Sequence, residues 1–202
     1  MAKEVQVMFR FVATWIVVLG AIVFTQPVSA QTPDLSWKMA FLKYTKGKME
    51  SLPFARPLSL ADGDQFQLLV SPGAAAYVDI LYEDTTGVIT VLFQGPAKAG
   101  QVILLPAEKQ NFEVSPPKGT EKLHVIVSLK PQTTFEASLK GLPGTSSKVL
   151  DALAALKSSL SSLAEAAEKP APMGGVTRGL PDVTISEFKG AGTYVKTIRF
   201  DH

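Results

Sequence analysis

Between residues 58 and 128 apolar and polar positions alternate in short runs, and a turn-forming cluster closes each run. Gln65-Phe-Gln-Leu-Leu-Val70 sets Phe66, Leu68 and Val70 on one face, and Ala76-Tyr-Val-Asp-Ile-Leu-Tyr82 does the same with Val78, Ile80 and Tyr82. A period of two belongs to a strand with one buried face. Ala61-Asp-Gly-Asp64, Ser71-Pro-Gly73 and Glu83-Asp-Thr-Thr-Gly87 supply turns, with Gly87 placed for positive φ. Val88-Ile-Thr-Val-Leu-Phe93 is apolar on both faces except at Thr90, which predicts a central strand. Short strands are also expected at 58–60, 101–105, 111–114 and 122–128, with Thr193–Phe200 closing the chain. Strands at this spacing, with no room for crossover helices, predict a mainly β, antiparallel sandwich.

The flanking segments follow other periods. Trp37, Ala40, Phe41 and Tyr44 recur at helical spacing, so residues 31–57 read as a lead-in with a short amphipathic helix. Lys38, Lys43, Lys46 and Lys48 lie among these rings, with no acid between Asp34 and Glu50. Together with Trp37 they form a candidate surface patch for an anionic envelope surface or partner. The simpler reading docks the rings on the main domain and leaves the lysines in water. Thr133–Lys140 predicts a short helix, ended by Gly141-Leu-Pro-Gly144. A second helix is expected to begin at Ser146 or Ser147, both good N-caps, with Asp151 near its positive end. It carries Val149, Leu153, Leu156, Leu160, Leu163 and Ala167 at alternating four- and three-residue steps, up to the prolines of Glu168-Lys-Pro-Ala-Pro172. Leu153, Leu156, Leu160 and Leu163 are thus candidate partner contacts, in competition with packing of the stripe on an open sheet face. Residues 131–181 form a helical insert before the last strand, with a Gly- and Pro-rich linker at 173–181, and the sandwich comprises 58–130 plus 182–202.

The first 30 residues have the three parts of a secretory signal peptide: Lys3 and Arg10, an uncharged run from Phe11 to Phe24, and Val28-Ser-Ala30 after Pro27. The expectation is cleavage before Gln31 and a periplasmic or secreted protein. An uncleaved anchor is the alternative, although the apolar run is short of the roughly 20 residues of a span. Composition narrows the rest. With no cysteine among 202 residues there is no disulfide framework, no thiol nucleophile and no Cys-ligated metal. Twenty Lys+Arg against 18 Asp+Glu give no global field for nucleic acid. At 46% hydrophobic residues the chain is too apolar to be disordered throughout.

Taken in order, several weak signals add up. Gly63-Asp64 precedes Phe66–Val70, and Ala76-Tyr-Val-Asp-Ile-Leu-Tyr82 is followed by a polar turn and by Gly87-Val-Ile-Thr-Val-Leu-Phe93. Leu105-Pro106, Asn111-Phe-Glu-Val114, Pro117-Lys-Gly-Thr-Glu-Lys-Leu123 and Val125-Ile-Val-Ser128 complete the series. This order resembles the bacterial domain-of-unknown-function 4384 family. Gln94 departs from it, since the family often has proline after Leu-Phe, and the helical insert is a second departure. The resemblance implies an Ig-like β-rich module of envelope or multidomain proteins, often an accessory to other domains, and it assigns no catalytic residue.

Chemistry is sparse. The nucleophile elbow and the phosphate-binding loop are missing, and Ser115-Pro-Pro-Lys118 cannot turn Ser and Lys to one helical face. His124 reads as a surface-facing or half-buried strand residue, and His202 as a frayed terminus. Asp62-Gly-Asp64 and Glu83-Asp84 read as turns in preference to Ca²⁺ loops. The expectation is a protein with no catalytic residue, cofactor or metal: a non-enzymatic, envelope-associated binding or assembly module acting through protein–protein contacts. Alternatives are a self-associating structural subunit, hence a homo-oligomer, and a cell-wall or carbohydrate binder stacking on Trp37, Tyr44 and Tyr77. The expected partner is an envelope protein, with no nucleic acid and with membrane contact only through an uncleaved signal segment.

Overall fold

The alternating runs become strands, and the strands sort into two sheets. The computed structural model describes residues 34–45, 48–53, 56–160, 169–172 and 184–202, which fall within one unit, Thr32–His202. The expected signal segment, Lys46, Leu163, Ala167 and the 173–181 linker lie outside the described residues. In chain order the elements are β1 (Asp34–Thr45), β2 (Lys48–Leu52), β3 (Leu58–Ser59), β4 (Gln65–Pro72), β5 (Ala76–Glu83), β6 (Ile89–Ala97), β7 (Ile103–Leu105), β8 (Phe112–Glu113) and β9 (Thr120–Ser128). Helices α1 (Thr133–Ser138) and α2 (Ser146–Ser159) follow, then β10 (Lys169–Pro172), β11 (Thr184–Ala191) and β12 (Thr193–Asp201). The first sheet runs β10–β11–β1–β4–β7, with β2 on β1 and β8 on β4; the second runs β3–β12–β9–β5–β6. All pairings are antiparallel except β3 with β12, so the second sheet is mixed.

The inner faces of the two sheets share one core. Leu35, Trp37, Met39 and Phe41 of β1, Phe66, Leu68 and Val70 of β4, and Phe188 of β11 pack with Val78, Ile80, Leu123, Val125, Val127, Tyr194, Ile198 and Phe200 of the second sheet. Trp37 stacks on Phe188 at 4.5 Å and meets Tyr194 edge-on at 5.2 Å, joining the sheets. Phe41 stacks on Phe66 at 4.8 Å, and Phe200 closes against both. The second sheet is also apolar outside, where Phe135 and Leu139, from α1 and just past its end, and Val149 and Leu153 of α2 cover Leu81, Ile89 and Ile126.

Several expectations change. Residues 34–45 form a strand and not a helix. The set Leu35, Trp37, Met39, Phe41 has period two and fills the core, while Ala40 and Leu42 are buried on the other face against Leu69. Burial on both faces makes the run continuous, and a continuous apolar run contains helical spacings by coincidence. The sandwich therefore begins at β1, and the expected lead-in supplies an interior strand. Strand β6 moves the opposite way, from the centre to the edge. It is apolar on both sides because the helices cover its outer face, and Pro96 near its end fits an edge. Lys169–Pro172 is likewise an edge strand, on β11.

Helix α2 has Thr145 as N-cap, with no capping side-chain bond, in place of Ser146 or Ser147. It ends at Ser159, short of the expected 168. Ser158 and Ser159 donate to carbonyls one turn back, a competition that loosens a helix end. The predicted turn at 84–87 forms, with the Gly87 N–H on the Asp84 carbonyl at 3.0 Å and φ of 81°. Leu153→Ala is expected to cost roughly 2–4 kcal/mol in urea unfolding, because it opens a cavity between α2 and the sheet. Exposed Ala155→Ser should cost less than about 0.7 kcal/mol.

Candidate functional site

The edge strand β6 is where the fold leaves unfilled space. Its residues alternate between the two faces of the second sheet: Thr90 lies opposite Tyr82 on the inner face, Val91 opposite Leu81 and Gln94 opposite Asp79 on the outer. The register shifts between Ile80 and Leu81, so Leu92 is an extra residue at a bulge. Bulges bend an edge, and here the bend coincides with a cleft of about 320 Å³ at the mouth of the sandwich. Phe66 and Phe112 line it from the first sheet, and Tyr82, Leu92 and Leu123 from the second. On the outer face a second pocket of about 430 Å³ lies between Val91 and Gln94 of β6 and Thr133, Glu136, Leu139 and Lys140 of the α1 region.

The polar wall of the inner cleft includes Tyr82 and Glu121. The Tyr82 hydroxyl donates to Glu121 Oε1 at 2.5 Å. Burial, and then this bond to a carboxylate, push the Tyr82 hydroxyl well above its ordinary range, so it stays a donor. Glu121 Oε1 also lies 3.4 Å from His202 Nε2, and His202 Nδ1 lies 3.6 Å from Asp62 Oδ1. Neither ring nitrogen makes a geometrically good hydrogen bond, so these are charge contacts at most. The imidazole has no exposed surface, and the His202 backbone exchanges two hydrogen bonds with Gly119 at 3.0 and 3.1 Å. The expected frayed terminus is thus locked down; its residue type carried no sign of the Gly119 pairing.

Two other groups sit under the helices. His124, expected to face the surface or lie half-buried, is 3% exposed. Its Nε2 is 2.8 Å from Glu83 Oε2 and its Nδ1 3.0 Å from the Thr197 hydroxyl, which accepts from Lys157 of α2 at 2.7 Å. The tautomer that satisfies all partners carries its proton on Nε2. Burial, and then the charges of Lys157 and Lys122, outweigh the Glu83 bond and bring His124 down to about 4. Burial would raise the Glu83 carboxyl, but hydrogen bonds from Lys122 and His124 overcome it and hold it low. This network pins α2 to the sheet, as does Ser146, whose hydroxyl accepts the Ile89 N–H at 2.9 Å. Asp79 is different. It is buried with no hydrogen bond or ion pair among the described residues, and burial followed by the Glu136 charge lifts it to about 6.

The residues singled out by sequence do not assemble into one site. Trp37 is fully buried, so it belongs to no surface patch. Lys38 and Lys48 are exposed, and Lys43 pairs with Asp64 at 2.6 Å. Leu153 is buried on the second sheet, with Leu156 packed partly against the same cluster; Leu160 is half-buried as the C-cap. Asp84 caps its own turn through Thr86 and Val88. Among the described residues no group of three or more His, Cys, Asp or Glu is placed to hold a metal. Sequence reasoning missed Glu121, Asp79 and Glu136, each a charge within an otherwise periodic run. Asp79, at the centre of the apolar stretch Val78–Leu81, was the one legible signal.

Residues 59–131 match the family described as a domain of unknown function (DUF4384), so the strand series is similar to that family over this stretch. Every residue lining the inner cleft falls inside the matched stretch; β1, both helices, β11 and β12 fall outside it. No curated protein and no solved structure matches the chain.

Asp79 and His124 give opposite pH signatures. The folded value of His124 lies below its unfolded one of about 6.5, so its stabilising contribution is present above that pH and is lost toward 4. The folded value of Asp79 lies above its unfolded one of about 3.8, so it destabilises above about 6 and is relieved on acidification. Asp79→Asn should raise stability by roughly 1–2 kcal/mol at pH 7 and by almost nothing near pH 4. The variant should also lose stability more steeply than the parent between pH 6 and 4, as read by urea unfolding across that range.

Proposed function

We propose that the protein is a non-enzymatic binding module of the bacterial envelope, exported by its N-terminal signal segment, with an Ig-like sandwich that holds a partner protein through surface contact. The observation that carries this reading is the inner cleft beside β6. It is lined mainly by Phe66, Phe112, Leu92 and Leu123, and two groups of its polar wall are already committed, Tyr82 to Glu121. A concave apolar site with a few fixed polar groups suits recognition. A tyrosine whose proton is held by a half-buried carboxylate suits a donor role more than proton transfer at neutral pH.

The alternatives have less to work with. Self-association through the leucine stripe would compete with the second sheet for Val149 and Leu153. A carbohydrate platform would lack Trp37, which lies between Phe188 and Tyr194, and would rest on the half-buried Tyr44 and Tyr77.

The reading is tested with a photo-crosslinking residue at exposed Thr90, at the cleft mouth, and a control at exposed Glu50 on β2. In intact cells a discrete adduct is expected from position 90 and not from 50, together with a mature N-terminus at Gln31. No adduct at 90, or equal adducts at both positions, would sink it.

A further inference from the structure

Strand β6 is nine residues long, and no described strand pairs with its outer edge. Ile89 is the first residue of that edge, and Ser146 caps its N–H. From Thr90 onward the edge runs between the two pockets, the inner cleft on the side of Thr90 and Leu92 and the outer pocket on the side of Val91 and Gln94. The strand Ile-Thr-Val-Leu-Phe-Gln-Gly-Pro-Ala contains no charged residue. Proteins commonly protect a long edge with lysines or inward-pointing charges. This edge has only Pro96 near its far end.

Side chains of an added strand would alternate between the same two faces. One parity would enter the aromatic inner cleft. The other would enter the outer pocket, where Glu136 lines the wall and the unpaired Asp79 lies on the same face opposite Gln94, with Lys140 as the one cation among the lining residues. A second copy of β6 would bring no cation to these acids, since it has none.

We propose that β6 is a strand-addition site for an extended segment of another protein, with bulky apolar residues at one parity and at least one Lys or Arg at the other. Backbone pairing along β6 supplies affinity, and the two pockets supply register and selectivity. A basic side chain beside Asp79 and Glu136 would also relieve Asp79, a buried acid with no hydrogen bond or ion pair among the described residues. The inference deepens the binding-module reading above and rests on it.

The test uses the full chain and synthetic peptides matched to the nine residues of β6. One peptide alternates Phe or Val with Lys, a second carries Glu in place of Lys, and a third is the Lys peptide N-methylated at alternate amides so that it cannot pair. The Lys peptide is expected to bind and to protect β6 amides from hydrogen exchange. The Glu peptide and the N-methylated peptide are each expected to bind at least about tenfold more weakly. Exposed Gln94→Lys should weaken the Lys peptide, and exposed Thr90→Lys should weaken both unmethylated peptides without unfolding the protein. Equal binding of the Lys and Glu peptides, or unchanged β6 exchange at saturation, would overturn the proposal. Protection of β6 that grows with protein concentration alone would also overturn it, in favour of a second copy. If the peptides fail while position 90 still crosslinks in cells, strand addition falls and the binding reading stands. Loss of both removes the two together.

Discussion

The second sheet is apolar on both faces, and the rest of the structure follows from having to cover it. Its inner face is closed by β1, β4 and β11 through the Trp37–Phe188–Tyr194 and Phe41–Phe66–Phe200 ring clusters. Its outer face, with Leu81, Ile89 and Ile126, needs a separate cover, and the insert between β9 and β10 provides it. A chain without cysteine has no covalent substitute for this burial. Two covers on one sheet leave the edge of that sheet between two layers, which is why β6 has a pocket on either side.

The same constraint explains the buried charges. Covering the outer face with helices also covers His124, Glu83 and Asp79, which lie on strands whose pleat turns them outward. His124 and Glu83 are accommodated by a chain of donors from Lys157 through Thr197, with Lys122 on the second carboxylate oxygen. That network fixes α2 at one end while Ser146 fixes it at the other. Among the described residues Asp79 receives no comparable partner.

Much of the fold was legible where one face of a strand is buried and the turns are chemically explicit, as at Phe66–Val70, Val78–Tyr82 and Leu123–Val127. It failed at strands buried on both faces, because period two then disappears. β1 imitated a helix through Trp37, Ala40, Phe41 and Tyr44, and β6 imitated a central strand although a helix pair covers it. β11 could not be found at all: its inner face is Ser186 and Phe188, too few large residues to show a period. The candidate site was less legible still. It is assembled by register, Thr90 against Tyr82 and Gln94 against Asp79, and register depends on a bulge at Leu92 that no local sequence signal announces. His202 is held by a pairing with Gly119, about half the unit's length away along the chain.

Strand β1 is interior and, among the described strands, β6 is an open edge. Residue-resolved amide exchange on the free protein tests both at once. Slow exchange is expected along β1, β5 and β9, with outward-pointing β6 amides from Val91 to Gly95 exchanging orders of magnitude faster than their β5 neighbours. Uniform protection along β6, or a β1 that exchanges like a peripheral lead-in, would contradict it.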